Sequence, residues 1–178
     1  MSAAPATRTQ TTAEIVPFQL RPAPGQWHPH IRALYGYWQS KLPAPDAAGC
    51  RLPGRQHLDP VEIPTLLPWL WLIDVQREPP RFRFRLFGTK HYEQMHCDPT
   101  GRWCDEAFPS FVSQPTYPDY LKVGLDGLVS YRKGPPAYHV DSECRLLERI
   151  MLPLARDGRT VDMILALTLY FRADQALY

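Results

Sequence analysis

Five metal-capable side chains, His91, His96, Cys97, Asp98 and Cys104, fall in one short region of the sequence. A zinc site needs four such groups converging tetrahedrally at about 2.0–2.3 Å. On a helix, convergence requires spacings of three or four. His91 and His96 stand five apart and do not share a helix face. Capping, turn and surface roles for the histidines and packing roles for the thiols are the preferred reading, and no metal is expected. Arg81, Arg83 and Arg85 alternate with apolar residues, so a strand would set them in a row at roughly 7 Å intervals. Such a row can grip a nucleotide or another anion, or it can be a solvated face paired with acids on neighbouring strands; the second is the simpler reading. Glu148 interrupts the apolar series Leu146, Ile150, Leu152 and Leu154. A carboxylate on a dry strand face must be paired, neutral or close to solvent. There is no GxSxG, P-loop, HExxH or glycine-rich dinucleotide fingerprint, and no catalytic residue or enzyme activity is assigned.

A chain of 178 residues with 44% hydrophobic content can bury one full core. A formal charge of +2 is too small for the basic surface that nucleic-acid binding needs, so no nucleic-acid partner is expected. Cys50, Cys97, Cys104 and Cys144 are scattered without a CxxC pair, and no apolar leader core opens the chain. Reduced thiols in a cytoplasmic protein follow as the expectation. The apolar run from Leu66 is interrupted by Pro68 and ended by Asp74, short of the roughly 18 residues a membrane span requires.

These side chains need elements to position them. Residues 1–26 are rich in Ala, Thr and Pro and read as a mobile tail, leaving 27–178 as a single domain. Ile31, Leu34, Tyr35, Trp38 and Leu42 recur at helical spacing behind Pro29, predicting an amphipathic helix. Asp59 is placed to cap a turn, with Glu62 able to reach back. Strands are predicted at Trp69–Val75 and Arg81–Gly88, with Phe82, Phe84 and Leu86 on one side of the second. Short helices follow from Thr89 and near Trp103, then a long helix from Pro118 to Lys133 with Leu121, Leu125, Leu128 and Val129 as its stripe and Gly124 and Gly127 set for close packing. Ala137–Cys144 reads as a third strand. Arg145–Phe171 reads as a terminal hairpin turning at Asp157-Gly158, with a loop of about four to six residues. In its second strand Val161, Met163, Leu165, Leu167 and Leu169 form the dry face, opposite Asp162, Ile164, Ala166, Thr168 and Tyr170.

Five antiparallel strands interrupted by helices is the chain order of a PAS domain, and local motifs carry the likeness further. Tyr37-Trp38, Leu52-Pro53 with Asp59-Pro60, Leu66-Leu67-Pro68 before Ile73-Asp74, and Arg83-Phe84-Arg85-Leu86 to Gly88-Thr89 occur in order. They are followed by Asp98 through Gly101-Arg102, Leu152-Pro153-Leu154, Asp157-Gly158 and Val161-Asp162. Over about residues 31–170 the chain resembles a bacterial PAS-like family of short, often single-domain sensory and regulatory proteins. The resemblance implies an α+β fold: a five-stranded antiparallel sheet with short helices and one long helix over its concave face, plus the N-terminal amphipathic helix. It also implies a ligand pocket lined by Phe84, Leu86, Tyr92, Met95, Trp103, Leu125, Glu148, Ile150 and Leu165, with filled-core packing as the plain alternative. Gly101-Arg102-Trp103-Cys104 is superficially similar to the Gly-Arg-Asn-Cys of flavin photosensors, but this chain contains no asparagine with which to read a flavin edge. The predicted long helix offers no histidine for haem. No cofactor is named.

The leading expectation is a stand-alone sensory or regulatory module that binds an unidentified small molecule in its core and signals through a protein partner. The alternatives are a ligand-free interaction or scaffold domain and, behind it, a small enzyme using Glu148. On the face opposite the pocket, Ile164, Ala166 and Tyr170 would be exposed and need a cover. The helix carrying Leu34 and Trp38 is suited to cover them, within one chain or across a two-fold axis, so a homodimer with Leu34, Trp38, Ile164 and Tyr170 at its interface is expected.

Overall fold

A computed structural model describes residues 23–44, 49, 51–137, 140 and 143–178. The predicted tail lies outside these residues as far as position 22, and Pro24–Gln26 form a 3-10 turn. Helix α1, Pro29–Ser40, starts with proline at its first position and buries Ile31, Leu34 and Trp38. These three recur at the spacing that puts them on one helix face, and each contributes about 1.5–3 kcal/mol by leaving water. Three 3-10 turns, Arg55–His57, Pro60–Glu62 and Pro64–Trp69, lead into the sheet. Asp59 caps the middle one by accepting from the Val61 N–H at 2.9 Å. Glu62 does not reach back; it pairs with Lys41 at 2.7 Å.

The sheet strands are β1 (Leu70–Arg77), β2 (Pro80–Phe87), β3 (Ser130–Gly134), β4 (Leu146–Leu154) and β5 (Met163–Phe171), in spatial order β2-β1-β5-β4-β3 with every neighbouring pair antiparallel. Between β2 and β3 run α2 (Thr89–Met95), α3 (Cys104–Ala107) and α4 (Tyr117–Asp126). The expected α+β architecture of five antiparallel strands with short helices and an N-terminal helix is therefore present.

Three elements differ from expectation. The long helix stops at Asp126, because Gly127 turns into the left-handed region at φ 69° and its N–H closes on the Lys122 carbonyl. Its buried stripe is Tyr120, Val123 and Gly124 instead of the leucines. A Cβ on Gly124 would stand 2.9 Å from Phe82 and 3.2 Å from Val75, so the close-packing role holds at that position. Second, ending the helix early releases Ser130–Gly134 to become β3, with Arg132 and Lys133 as strand residues; the strand predicted over 137–144 falls largely on positions outside the described residues. Third, the terminal hairpin loop spans 155–162, longer than expected, with Asp157 accepting from the Arg159 and Thr160 N–H groups at 2.8 and 2.7 Å.

The largest correction concerns sidedness. β4 and β5 are buried on both faces, each strand having only its first residue partly exposed. One face lies under α1 and the 3-10 turns: there Ile150, Leu152, Leu154, Leu165, Leu167 and Leu169 join Ile31, Leu34 and Trp38. The opposite face lies under α2–α4: Met151, Ile164 and Ala166 pack with Trp71, Phe82, Phe84, Phe111 and Tyr120. Both faces are dry, so alternation alone could not say which set lies beneath which helices.

Candidate functional site

The face under α2–α4 is built from rings. Trp71 on β1, Phe84 and Phe87 on β2, Phe108 and Phe111 in the segment before α4, Tyr120 on α4 and Tyr170 on β5 surround a cavity of about 40 Å³, with His91, Met95, Gln114 and Thr168 completing its wall. That is room for a few water-sized atoms. The rings meet mostly edge to face, as at Phe111–Tyr120 with centroids 4.8 Å apart and Phe84–Phe108 at 5.9 Å.

Phe87 reaches this wall through a bulge. Strand β2 pairs Phe84 with Ile73 and Leu86 with Leu72, the register shifting between them. One extra residue on β2 sends Leu86 to the other face and brings Phe87 inward. Leu86 accordingly lies 43% exposed, in a groove with Leu72 and Leu165, and is not a residue of the inner wall.

Polar groups in the wall are fixed by one another. His91 Nε2 stands 2.8 Å from the Trp69 carbonyl oxygen, which can only accept, so Nε2 carries the proton. Nδ1, 2.9 Å from the Tyr170 hydroxyl, is then the acceptor and Tyr170 the donor. Burial pushes the His91 pKa down to about 4, against the smaller opposing effect of the Trp69 carbonyl. The imidazole is a neutral link between α2 and β5. Both of its ring nitrogens are engaged, which removes it as a metal ligand. Trp71 Nε1 donates to Thr168 Oγ1 at 3.0 Å.

Beside the cavity, on the same face, Arg149 is 1% exposed and its guanidinium donates to Asp119 Oδ2 at 2.7 Å, tying β4 to α4. Its central carbon also lies 5.7 Å above the Tyr120 ring. Arg149 does not figure among the residues picked from sequence. The run Ile150–Leu154, apolar at every position, is the signal that could have found it: a strand dry on both faces makes both of its charged residues buried groups that need partners.

Of the nine residues assigned to the pocket, Phe84 and Met95 line this cavity. The other seven stand elsewhere. Leu86 and Leu165 line the outer groove, Leu125 a surface cleft with Gly127 and Val161, and Tyr92 is 56% exposed. Trp103 lies under the Arg81 guanidinium at 4.3 Å and bridges the edge of β2 at Arg83. Ile150 and Glu148 belong to the face under α1; β4 is buried on both faces, so alternation alone did not say which of its two sets lies beneath which helices.

Glu148 is nonetheless paired, as its burial demands. Its Oε1 accepts from the His28 N–H at 2.7 Å at the start of α1, and its Oε2 lies 3.2 Å from Lys133 Nζ across the β3–β4 ladder. Burial first, and the Glu148 carboxylate second, push the neighbouring Tyr131 phenol upward. Trp27 stacks on the Tyr131 ring at 4.6 Å. Glu148 therefore fastens the start of α1 to the sheet and takes no part in the inner cavity.

The four residues assigned to a dimer interface are buried within one chain. Leu34 and Trp38 pack on the chain's own sheet, with Trp38 Nε1 donating to the Pro153 carbonyl at 3.0 Å, and Ile164 and Tyr170 face α2–α4. The arginine row follows its plainer reading: Arg81 makes two bonds to Asp105, at 3.1 and 3.0 Å, and one to Glu106 at 2.9 Å, while Arg83 pairs with Asp74 at 2.9 Å. Cys104 is fully buried, and burial pushes its thiol well above the usual range. Among the described residues, no helix is long and apolar enough to cross a membrane.

A family model described as "PAS domain" matches residues 26–109, from just before α1 to just after α3. Comparison with curated proteins and with solved structures gave no match.

Proposed function

Since the chain belongs to a PAS-like family, we propose that it is a cytoplasmic sensory or regulatory module that takes a small molecule into the ring-lined cavity and reports occupancy to a protein partner. The observation that carries this reading is the cavity itself. It is aromatic on several sides, lies beneath short helices, and is bordered by a few fixed polar groups in His91, Thr168 and Tyr170. Its size suits an occupant of a few heavy atoms, or a larger one admitted by outward movement of α2 and the segment before α4.

Transmission has a short physical route. His91–Tyr170 joins α2 to β5 and Asp119–Arg149 joins α4 to β4, while α1 packs on the opposite face of the same strands. A ligand that binds two arrangements of α2–α4 with different affinity shifts β4 and β5, and with them the seat of α1. Self-association is part of this proposal, through surface other than Leu34, Trp38, Ile164 and Tyr170. No catalytic role is proposed, and Glu148 is unsuited to one because Lys133 and the His28 N–H already occupy it.

The small size of the cavity favours one second reading, an interaction domain whose core is complete without a ligand. Native mass spectrometry of the purified chain and of Met95→Trp separates the two. The expected result is a noncovalent adduct on the wild-type chain that Met95→Trp, which fills the cavity, does not carry. Bare protein in both cases removes the ligand and leaves the interaction domain.

A further inference from the structure

The outer face of the sheet is covered unevenly. Helix α1 lies over β4 and β5, but toward β1 and β2 the cover is only the turns around Leu58 to Leu67. There Leu58, Ile63, Leu67, Leu70, Leu72, Leu86 and Leu165, with Pro60, line a groove of about 210 Å³ whose one charged wall residue is Arg55. Leu67 and Leu86, at its rim, are 39% and 43% exposed. The bulge that turned Phe87 inward is what delivers Leu86 to this side.

The groove opens into a second, wider cleft of about 550 Å³. The two share Arg55, Leu72 and Leu86, and the second adds Arg85, Arg156, Gln56, Asp162 and Met163. Its charge is mainly basic. Among the described residues no carboxylate pairs with Arg55, whose guanidinium donates only to the Leu58 carbonyl at 2.8 Å. Arg85 reaches only to 4.0 Å from Asp74, which Arg83 holds at 2.9 Å. Arg156, its side chain 86% exposed, stands 4.0 Å from Asp162, the one carboxylate lining the cleft.

An apolar groove continuous with an arginine-rich mouth is complementary to a molecule with an alkyl tail and an anionic head. We propose that this outer trough binds a free single-chain amphiphile with a carboxylate headgroup, its tail over Leu72, Leu86 and Leu165 and its head against Arg55 and Arg85. The tail gains by leaving water with each methylene it buries, and the planar guanidinium forks match a carboxylate. This site is separate from the inner cavity, lying on the opposite face of the same sheet.

The test is calorimetric titration of the full chain with decanoate below its micelle concentration, with decanol as the neutral control. The expected result is saturable decanoate binding with one site per chain, at least ten-fold tighter than decanol. Arg55→Ala/Arg85→Ala should bring decanoate down to the decanol level, and Leu86→Glu at the exposed rim should abolish binding with the circular dichroism unchanged. Met95→Trp should leave it intact, which keeps this outcome distinct from the inner-cavity experiment. The proposal is overturned if decanoate does not bind, if decanol binds equally well, or if Leu86→Glu binds as the wild type does. It is likewise overturned if the chain binds anionic phospholipid vesicles but not monomeric decanoate, since the trough would then serve a membrane surface.

Discussion

The two faces of this sheet are equally dry and differently made. Directly under α1 one regular helix lays Ile31, Leu34 and Trp38 across the leucines of β4 and β5, and the groove of this face opens only beyond the helix, toward β1 and β2. Under α2–α4 the cover is broken into short helices, and the space is filled by rings that meet edge to face. Interdigitating aliphatic side chains on a regular helix fill volume at crystal-like density. Rings hung from several short pieces leave gaps between their edges, and the inner cavity of about 40 Å³ lies among them. Each face also buries one strand charge, and these are treated differently. Glu148 is paired to a half-exposed lysine and a backbone N–H, whereas Arg149 depends on the single carboxylate of Asp119.

The sharpest way to break the face under α1 is Trp38→Ala. It removes a side chain only 6% exposed and its bond to the Pro153 carbonyl. A loss of about 3–5 kcal/mol is expected in denaturant unfolding, the range for a large aromatic truncated in a packed core. If α1 were a loosely held flank, the midpoint would move little.

On the ring-lined face the corresponding probe is pH. The unfolded His91 titrates near 6.5 and the folded one near 4, so the unfolded chain binds the proton first. The stabilisation from keeping His91 neutral is complete above pH 6.5 and is lost as pH falls from 6.5 toward 4, by about 3 kcal/mol in all. Denaturant midpoints measured across that window should show this loss in the wild type and a much flatter profile in His91→Gln. An equal slope in both would place the titrating group elsewhere.

The smallest effect compares the two buried charges. Asp119→Ala strands the Arg149 guanidinium and should cost about 2–3 kcal/mol, somewhat below the figure for a fully buried pair because Asp119 is 26% exposed. Lys133→Ala leaves Glu148 its backbone donor and should cost about 1 kcal/mol. Combining Asp119→Ala with Arg149→Met should recover most of the first loss. Equal costs for the two single variants would mean that both charges are equally well provided with other partners.

Much of the frame was legible from residue order. The spacing of Ile31, Leu34 and Trp38 behind Pro29 specifies α1, and the alternation around Phe82 and Phe84 specifies β2. Gly124 reads correctly because a small residue in a helix marks a close approach. What failed did so for local reasons. Gly127 was read as a helix residue, whereas its left-handed conformation ends the helix and frees Ser130–Gly134 for pairing. The site failed at a single residue of register: period-two alternation gives two sets of side chains, and on a strand dry on both faces it does not say which helices lie over which set. The bulge at Leu72/Ile73 then exchanged Leu86 for Phe87. Leu86, Glu148, Ile150 and Leu165 were misplaced by these causes, while His91 and Thr168 went unassigned because buried polar partners from distant elements leave no local pattern.

The two ends of the sheet are finished in unlike ways. The outer edge of β2 is closed by the segment Gly101–Trp103: the Gly101 N–H donates to the Phe84 carbonyl at 2.7 Å and the Phe84 N–H to the Arg102 carbonyl at 3.0 Å. The outer edge of β3 has no strand beside it among the described residues. A further strand, whether from a partner or from a misfolded neighbour, finds this edge open among the described residues. There it meets a strand of five residues carrying Arg132 and Lys133 and followed at once by Pro135-Pro136. Positive charge, brevity and prolines without N–H donors are the usual guards against edge-to-edge polymerisation. Growth of the sheet beyond β3 is thus discouraged by composition.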